Sequence, residues 1–225
     1  AAPELTNIQV WANYSIVSNE ERKRMACAPR DILIEQVQTA PRQNFTPLTN
    51  PTQSYDIRFS HSIKALFFAV RNITNSNIWS NYTTASPVPG PQVVVFEPTA
   101  GAFDPINNTT LTYENTNRLN QMGSDYYSLI EPFYKAPSIP EPTGYHLYSY
   151  SLGFYNVDPL GSTNYGKLTN VSIVPAASPA AIVGAGGTGA AASGQDYAQT
   201  YEFIIIGLNT NIIRISGGAL GFPVL

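Results

Sequence analysis

At 225 residues, with a net charge of −3 and only 12% charged side chains against about 25% in ordinary globular chains, the sequence carries no electrostatic footprint of a nucleic-acid binder. Cys27 is the single cysteine, which excludes an intrachain disulfide framework and a cysteine-rich zinc site and agrees with a reducing compartment. One large all-β domain of this size would bury roughly 70% of its extended-chain surface, enough for a core without staples.

In chain order, the first candidate strands are Asn7–Ser18 and Asp31–Thr39. Between them Ser18 and Glu21 have capping-box spacing, and Glu20 and Glu21 precede Arg22, Lys23 and Arg24. That order predicts one or two turns of solvated helix with acids at its start and bases later, rather than a DNA-binding arm. Next, Ile57, Phe59, His61, Ile63, Ala65, Phe67 and Ala69 share one parity, and Arg58, Ser60, Ser62 and Lys64 share the other. Period 2 implies a buried face and a wetter face through Lys64, after which Leu66, Phe68 and Val70 imply burial on both sides. The run exceeds a usual strand, so a break is expected near Ser60 and His61.

Further strands are expected at Val93–Glu97, Thr109–Glu114, His146–Phe154, Lys167–Val174 and Tyr201–Ile215. Ser124–Tyr134 is expected to form a short helix stopped by Pro137, and Ser178–Gly194, rich in Ala and Gly, a flexible loop. The segment DPLGSTNYGKLTN reads as a reversal between strands: Pro159 presets its own φ, Gly161 can supply a positive φ, and Asp158, Ser162 and Asn164 can bond nearby backbone. Eight or so strands with uneven Pro/Gly-rich connections point to a two-sheet sandwich of jelly-roll type. Periodicity alone does not separate this from an immunoglobulin-like sandwich, against which the missing Cys pair counts mildly.

The turn Asp158-Pro159-Leu160-Gly161-Ser162-Thr163-Asn164 resembles a Pro-Ser-Gly-Ser-x-Asn-type signature of the major capsid proteins of large cytoplasmic double-stranded DNA viruses. Seven tracts extend the resemblance over essentially the whole chain: RDILIEQVQTAPR, YDIRFSHSIKALFFAVRN, YENTNRL, GSDYYSLIEPFY, TGYHLYSYSL, GSTNYGKLTN and NIIRISGGALGFPVL. They are similar to iridovirus major capsid protein, nearest to invertebrate iridescent viruses. The resemblance implies an all-β fold, an eight-stranded jelly-roll sandwich with short helical insertions, spanning 1–225 as the C-terminal one of two tandem jelly rolls. It further implies homotrimeric, pseudo-hexagonal capsomers that tile an icosahedral shell over an internal membrane and assemble in the host cytoplasm. The implied partners are other copies of the protein and minor capsid proteins under the shell, with no direct nucleic-acid contact and no membrane insertion by this segment. The chain starts at Ala1 without Met and so reads as a piece of a longer protein. It contains no signal peptide and no apolar run near 18 residues.

No catalytic, cofactor-binding or metal-binding residue is expected. His61 and His146 are the only imidazoles; His61, on the apolar parity, is expected to be a core histidine bonded to backbone. Two distant histidines are poor material for a cupin metal site. Gly184, Gly186 and Gly189 match G-x-G-x-x-G with Glu202 downstream, but a dinucleotide site needs a helix opening after the glycines, and only AAAS follows before Gly194. G-x-S-x-G is absent, and Glu131 and Glu141 have no spacing logic. Tyr126, Tyr127, Phe133 and Tyr134 are expected to fill the space between the short helix and a sheet edge or neighbouring subunit, with a sugar-stacking platform as the alternative. Glycosylation sequons occur at Asn13, Asn44, Asn72, Asn81, Asn107, Asn108 and Asn170, as chance allows in an Asn- and Thr-rich chain. The competing function class is a jelly-roll glycan- or receptor-binding module of a virion.

Overall fold

The long alternating run is cut where the expectation placed the break. Tyr55–Asp56 (β3) belongs to one sheet and Ser62–Asn72 (β4) to another. His61 lies between them at φ +63° and exposed to solvent, so it is not the core histidine its parity suggested. The turn, not the pleat, sets its direction. A computed structural model describes residues 6–74, 78–85, 103–186, 198–217 and 219–223.

The remaining strands are Arg30–Thr39 (β1), Gln43–Phe45 (β2), Ile106–Tyr113 (β5), Thr116–Gly123 (β6), His146–Ser149 (β7), Thr163–Asn164 (β8), Val171–Ala177 (β9), Tyr201–Ser216 (β10) and Ala219–Gly221 (β11). A seven-stranded sheet runs β1-β10-β4-β7 with β2, β8 and β11 attached, and a four-stranded sheet runs β3-β9-β5-β6. Every pairing with a resolved register is antiparallel. The candidate strand 93–97 lies outside the described residues.

The chain divides into two units, Leu33–Asn211 and Ala1–Ile32 with Ile212–Leu225. In the larger one the two sheets face each other across a core that includes Phe45, Tyr55, Ile63, Leu66, Phe68, Ile173 and Phe203. Tyr55 of the smaller sheet stacks on Phe203 of the larger, ring centroids 4.5 Å apart, the kind of inter-sheet contact that seals a sandwich. Gly207 on β10 leaves room for the Phe59 ring, which an added Cβ would meet at 2.8 Å.

Lys64 was expected on the wetter face and is instead buried. In the β4–β10 ladder Ala65 pairs with Leu208 and Ile63 with Asn209, so Lys64 is the extra residue of a β-bulge. The bulge reverses parity: Ile57, Phe59 and Ile63 point into the core before it, and Leu66, Phe68 and Val70 after it. The double-sided burial beyond Lys64 follows from this switch together with the cover over the outer face described below.

Helix α1 (Asn19–Cys27) forms as its cap predicts, Ser18 Oγ accepting from the Glu21 amide at 3.3 Å. None of its residues is buried. In the same unit Arg214 makes a two-pronged ion pair with Asp31, both contacts 2.7 Å. Residues 6–18 form no strand among the described residues: a strand-like pattern needs a neighbouring edge to bond, and none reaches this segment there. The Ser124–Tyr134 expectation resolves into a π-helical turn, Tyr126–Ile130, running into α2, Glu131–Lys135. The supposed loop after β9 begins with a helix, α3 (Pro179–Ala185), because Ser178 caps the Ala181 amide and Pro179 supplies a preset first turn.

Candidate functional site

The turn carrying the family-like signature behaves as its residues require. Gly161 takes φ +130°, and a Cβ there would lie 2.6 Å from the Tyr150 carbonyl oxygen. Asn164 Oδ1 accepts from the Gly166 amide at 3.0 Å, and Thr163 and Asn164 add to the edge of β4. Leu160 in this turn and Leu152, Tyr155 and Val157 in the segment before it are exposed.

One polar cluster resembles reactive machinery. Asp104 before β5, Ser124 after β6 and His146 at the start of β7 converge although they are up to 42 residues apart in sequence. Ser124 Oγ and Asp104 Oδ2 each lie 2.8 Å from His146 Nε2, and Ser124 donates to Asp104. A nucleophile relay needs hydroxyl and carboxylate on opposite ring nitrogens. Here both share Nε2, while Nδ1 faces the Phe68 carbonyl at 3.3 Å and the ring lies flat on Phe68 at 5.0 Å. The cluster ties the ends of β5 and β6 to β4 and β7, one sheet to the other. Local spacing could not reveal it, because all three residues come from different strand ends.

A second network is built from phenols. Tyr150 bonds both Tyr113 and Tyr165, the latter at 2.8 Å. Burial, the leading cause in each case, pushes all three hydroxyls above the ordinary phenol range. Tyr126 is pushed up to about 12, first by burial and then by the Glu131 carboxylate.

The four aromatics expected to act together divide. Tyr127 is buried against Phe68, ring centroids 5.2 Å apart, and bonds the Thr109 carbonyl, whereas Phe133 and Tyr134 on α2 are exposed. Glu131 accepts from Tyr126 and from the Ser149 amide, both at 3.2 Å. The outer face of β4, β7 and β10 carries an apolar pocket of about 500 Å³, floored by Phe67, Ile204 and Ile206 and walled by Pro132, Pro140 and Tyr145.

Gly184 lies inside α3 and Gly186 caps its C-terminus, so these glycines close a helix where a dinucleotide site would open one; Gly189 lies outside the described residues. Glu202 is in β10, 2.5 Å from Arg71. Asn72 is buried with Nδ2 donating to Gln199 at 3.1 Å, which closes that sequon to modification in the folded chain. Among the described residues no group of three or more His, Cys, Asp or Glu is placed to hold a metal, and no helix is long and apolar enough to cross a membrane.

The sequence model of the large eukaryotic DNA virus major capsid protein family matches residues 21–221. The chain belongs to this family. Over all 225 residues it is 74% identical to the major capsid protein of Costelytra zealandica iridescent virus, and over 224 residues 70% identical to that of Invertebrate iridescent virus 6. It spans about half the length of these curated relatives, 48% of each. Its structure is similar to the PBCV-1 virus capsid with a TM-score of 0.69 at 22% identity, covering 93% of this chain and 55% of that one. Similarity to the Faustovirus major capsid protein has a TM-score of 0.56. These likenesses identify the two-sheet architecture of this capsid family chain as the jelly roll.

Proposed function

We propose that this chain is the C-terminal jelly-roll domain, 1–225, of a longer major capsid polypeptide, and that it works as a non-enzymatic building block. The family match over residues 21–221, joined to 74% identity with an iridescent virus major capsid protein, carries this reading. Three full-length copies form a pseudo-hexagonal capsomer, and capsomers tile an icosahedral shell assembled in the host cytoplasm. Its partners are other copies and minor capsid proteins beneath the shell, without direct contact to nucleic acid or insertion into membrane.

The chain has the physical properties of a tile. Two sheets packed through aromatic contacts form a dry slab whose stiffness needs no cofactor. Low charge reduces the desolvation needed to cover its sides, and the exposed Leu129, Ile130, Phe133, Tyr134, Leu152 and Tyr155 supply apolar contact area. A shell then gains from modest contacts repeated many times. Mass measurement of the full-length protein in solution and within particles tests this: the expected result is a trimer that is the most abundant virion protein. A monomeric minor component that binds glycans would overturn it in favour of the binding-module reading.

A further inference from the structure

Ile8, Val10, Ala12, Tyr14 and Ile16 fall on one parity of residues 6–18. The four large side chains among them are almost fully exposed: Ile8 78%, Val10 94%, Tyr14 90% and Ile16 97%. Trp11, on the opposite parity, is exposed as well. Such an apolar stripe at period 2, rich in β-branched and aromatic residues, is the pattern of a half-buried strand. A strand of this kind left bare is an aggregation hazard, which natural chains avoid by pairing or covering it.

The relatives of the chain indicate what covers it. The family match begins at residue 21, within α1 and past this segment. The relatives nevertheless match the chain through this segment, over all 225 residues in the first, and continue for about as much polypeptide again. The arm is therefore retained in capsid proteins whose remaining half lies outside the match to this chain.

Resting on the reading of a longer capsid polypeptide, we infer that residues 6–18 are a strand of the neighbouring half, hydrogen-bonded to the edge of a sheet there with Ile8, Val10, Tyr14 and Ile16 turned into its core. The segment is thus a structural part of one half carried on the sequence of the other. At about 3.3 Å per residue it would span most of a sheet's depth, so the junction is a shared strand and not a loose tether. Helix α1, with no buried residue, then follows as the connector.

Hydrogen–deuterium exchange on the 225-residue chain and on the full-length polypeptide tests this, with masses of the same samples measured in parallel. Backbone amides within 8–16 are expected to exchange at least about 100-fold more slowly in the full-length protein than in the 225-residue chain, with no dependence on protein concentration. In full-length V10D/I16D that protection should vanish while the centres of β4 and β10 keep theirs. If the double variant fails to fold, the wild-type comparison still decides. Unprotected arm amides in a full-length trimer would overturn this inference alone. Protection that falls on dilution, or that appears in the 225-residue chain as it associates, would assign the arm to a second copy and also overturn it. A protected arm in a protein that never trimerises would support the shared strand and refute the capsomer reading.

Discussion

Lys64 Nζ lies 2.5 Å from Glu35 Oε1, with the lysine side chain buried and the glutamate side chain partly open to water. The ammonium also donates to the Asn156 carbonyl at 2.8 Å and lies 5.6 Å from the Phe154 ring centroid. The β-bulge that reverses parity along β4 therefore places a charge inside and supplies it with partners. Removing one side of a fully buried pair costs about 3–5 kcal/mol, and the water-facing side of Glu35 brings the expectation for Glu35→Ala down to about 2 kcal/mol. Replacing both residues, as Glu35→Leu with Lys64→Met, should recover most of that loss, since no charge is then stranded. Denaturant unfolding of the two variants checks this; equal losses in both would show that the pair is not what holds the bulge.

The signature turn makes a sharper demand on one atom. At Gly161, φ +130° and the Tyr150 carbonyl oxygen, 2.6 Å from where a Cβ would stand, act together. Gly161→Ala is expected to lower stability by about 1–3 kcal/mol through backbone strain. The denaturation midpoint should fall with an unchanged slope. An unaltered midpoint would mean that the turn relaxes freely and that its geometry is not under constraint.

Much of the sandwich was legible because burial writes period 2 into a strand: β1, β9 and β10 show it, and the break at Ser60–His61 followed from length alone. The bulge at Lys64 left no local mark, since one extra residue changes parity without changing composition. Strand β6 was missed because it is a polar edge strand, mostly exposed. Its signal lay in the two-residue reversal Glu114–Asn115, both at positive φ, the backbone a tight hairpin requires. Helix α3 was hidden by its Ala/Gly composition although Ser178-Pro179 announced its start. Parity misassigned the core histidine to His61, because only the three-dimensional meeting of Asp104, Ser124 and Phe68 identifies His146.

That cluster predicts a stability effect without a catalytic one. Asp104→Ala leaves Ser124 Oγ and His146 Nε2 with only each other, and the buried side of the imidazole loses an acceptor. The expected cost is about 1–3 kcal/mol, read from chemical unfolding. Asp104→Asn should restore part of it, because an amide oxygen still accepts. A neutral Asp104→Ala would show that the two sheets are not tied there.

The phenol network sets the alkaline limit of the fold. Tyr113, Tyr150 and Tyr165 are held neutral by burial, and Tyr126 is pushed up to about 12. Above about pH 10 an unfolded chain releases phenolic protons that the folded chain keeps, so the folded state binds more protons and stability falls as pH rises. The contribution is fully present below about pH 10 and is lost progressively as pH climbs through 12. Each protected tyrosine steepens that loss by at most about 1.4 kcal/mol per pH unit. Urea midpoints measured from about pH 8 to about pH 11.5 should stay level first and then fall, and Tyr150→Phe, which removes one titrating group, should flatten the fall. Phenolate absorbance appearing before unfolding would show that these hydroxyls are open to hydroxide, and the limit would then lie elsewhere.

Phe133 and Tyr134 stand exposed on α2, which continues from the π-helical turn that buries Tyr127, so one end of this helical segment serves the core and the other the surface. Exposed aromatics of this kind are costly to leave in water and are favoured at contact centres. Full-length Phe133→Ser/Tyr134→Ser is expected to keep its unfolding midpoint within about 0.5 kcal/mol of the parent. Its association into capsomers or shells should nonetheless weaken by at least about tenfold, the loss of one modest apolar contact. Sedimentation of both proteins across a concentration series measures the difference. Equal association would assign the contact to another surface, with the exposed Leu152 and Tyr155 beside the signature turn as the next to substitute.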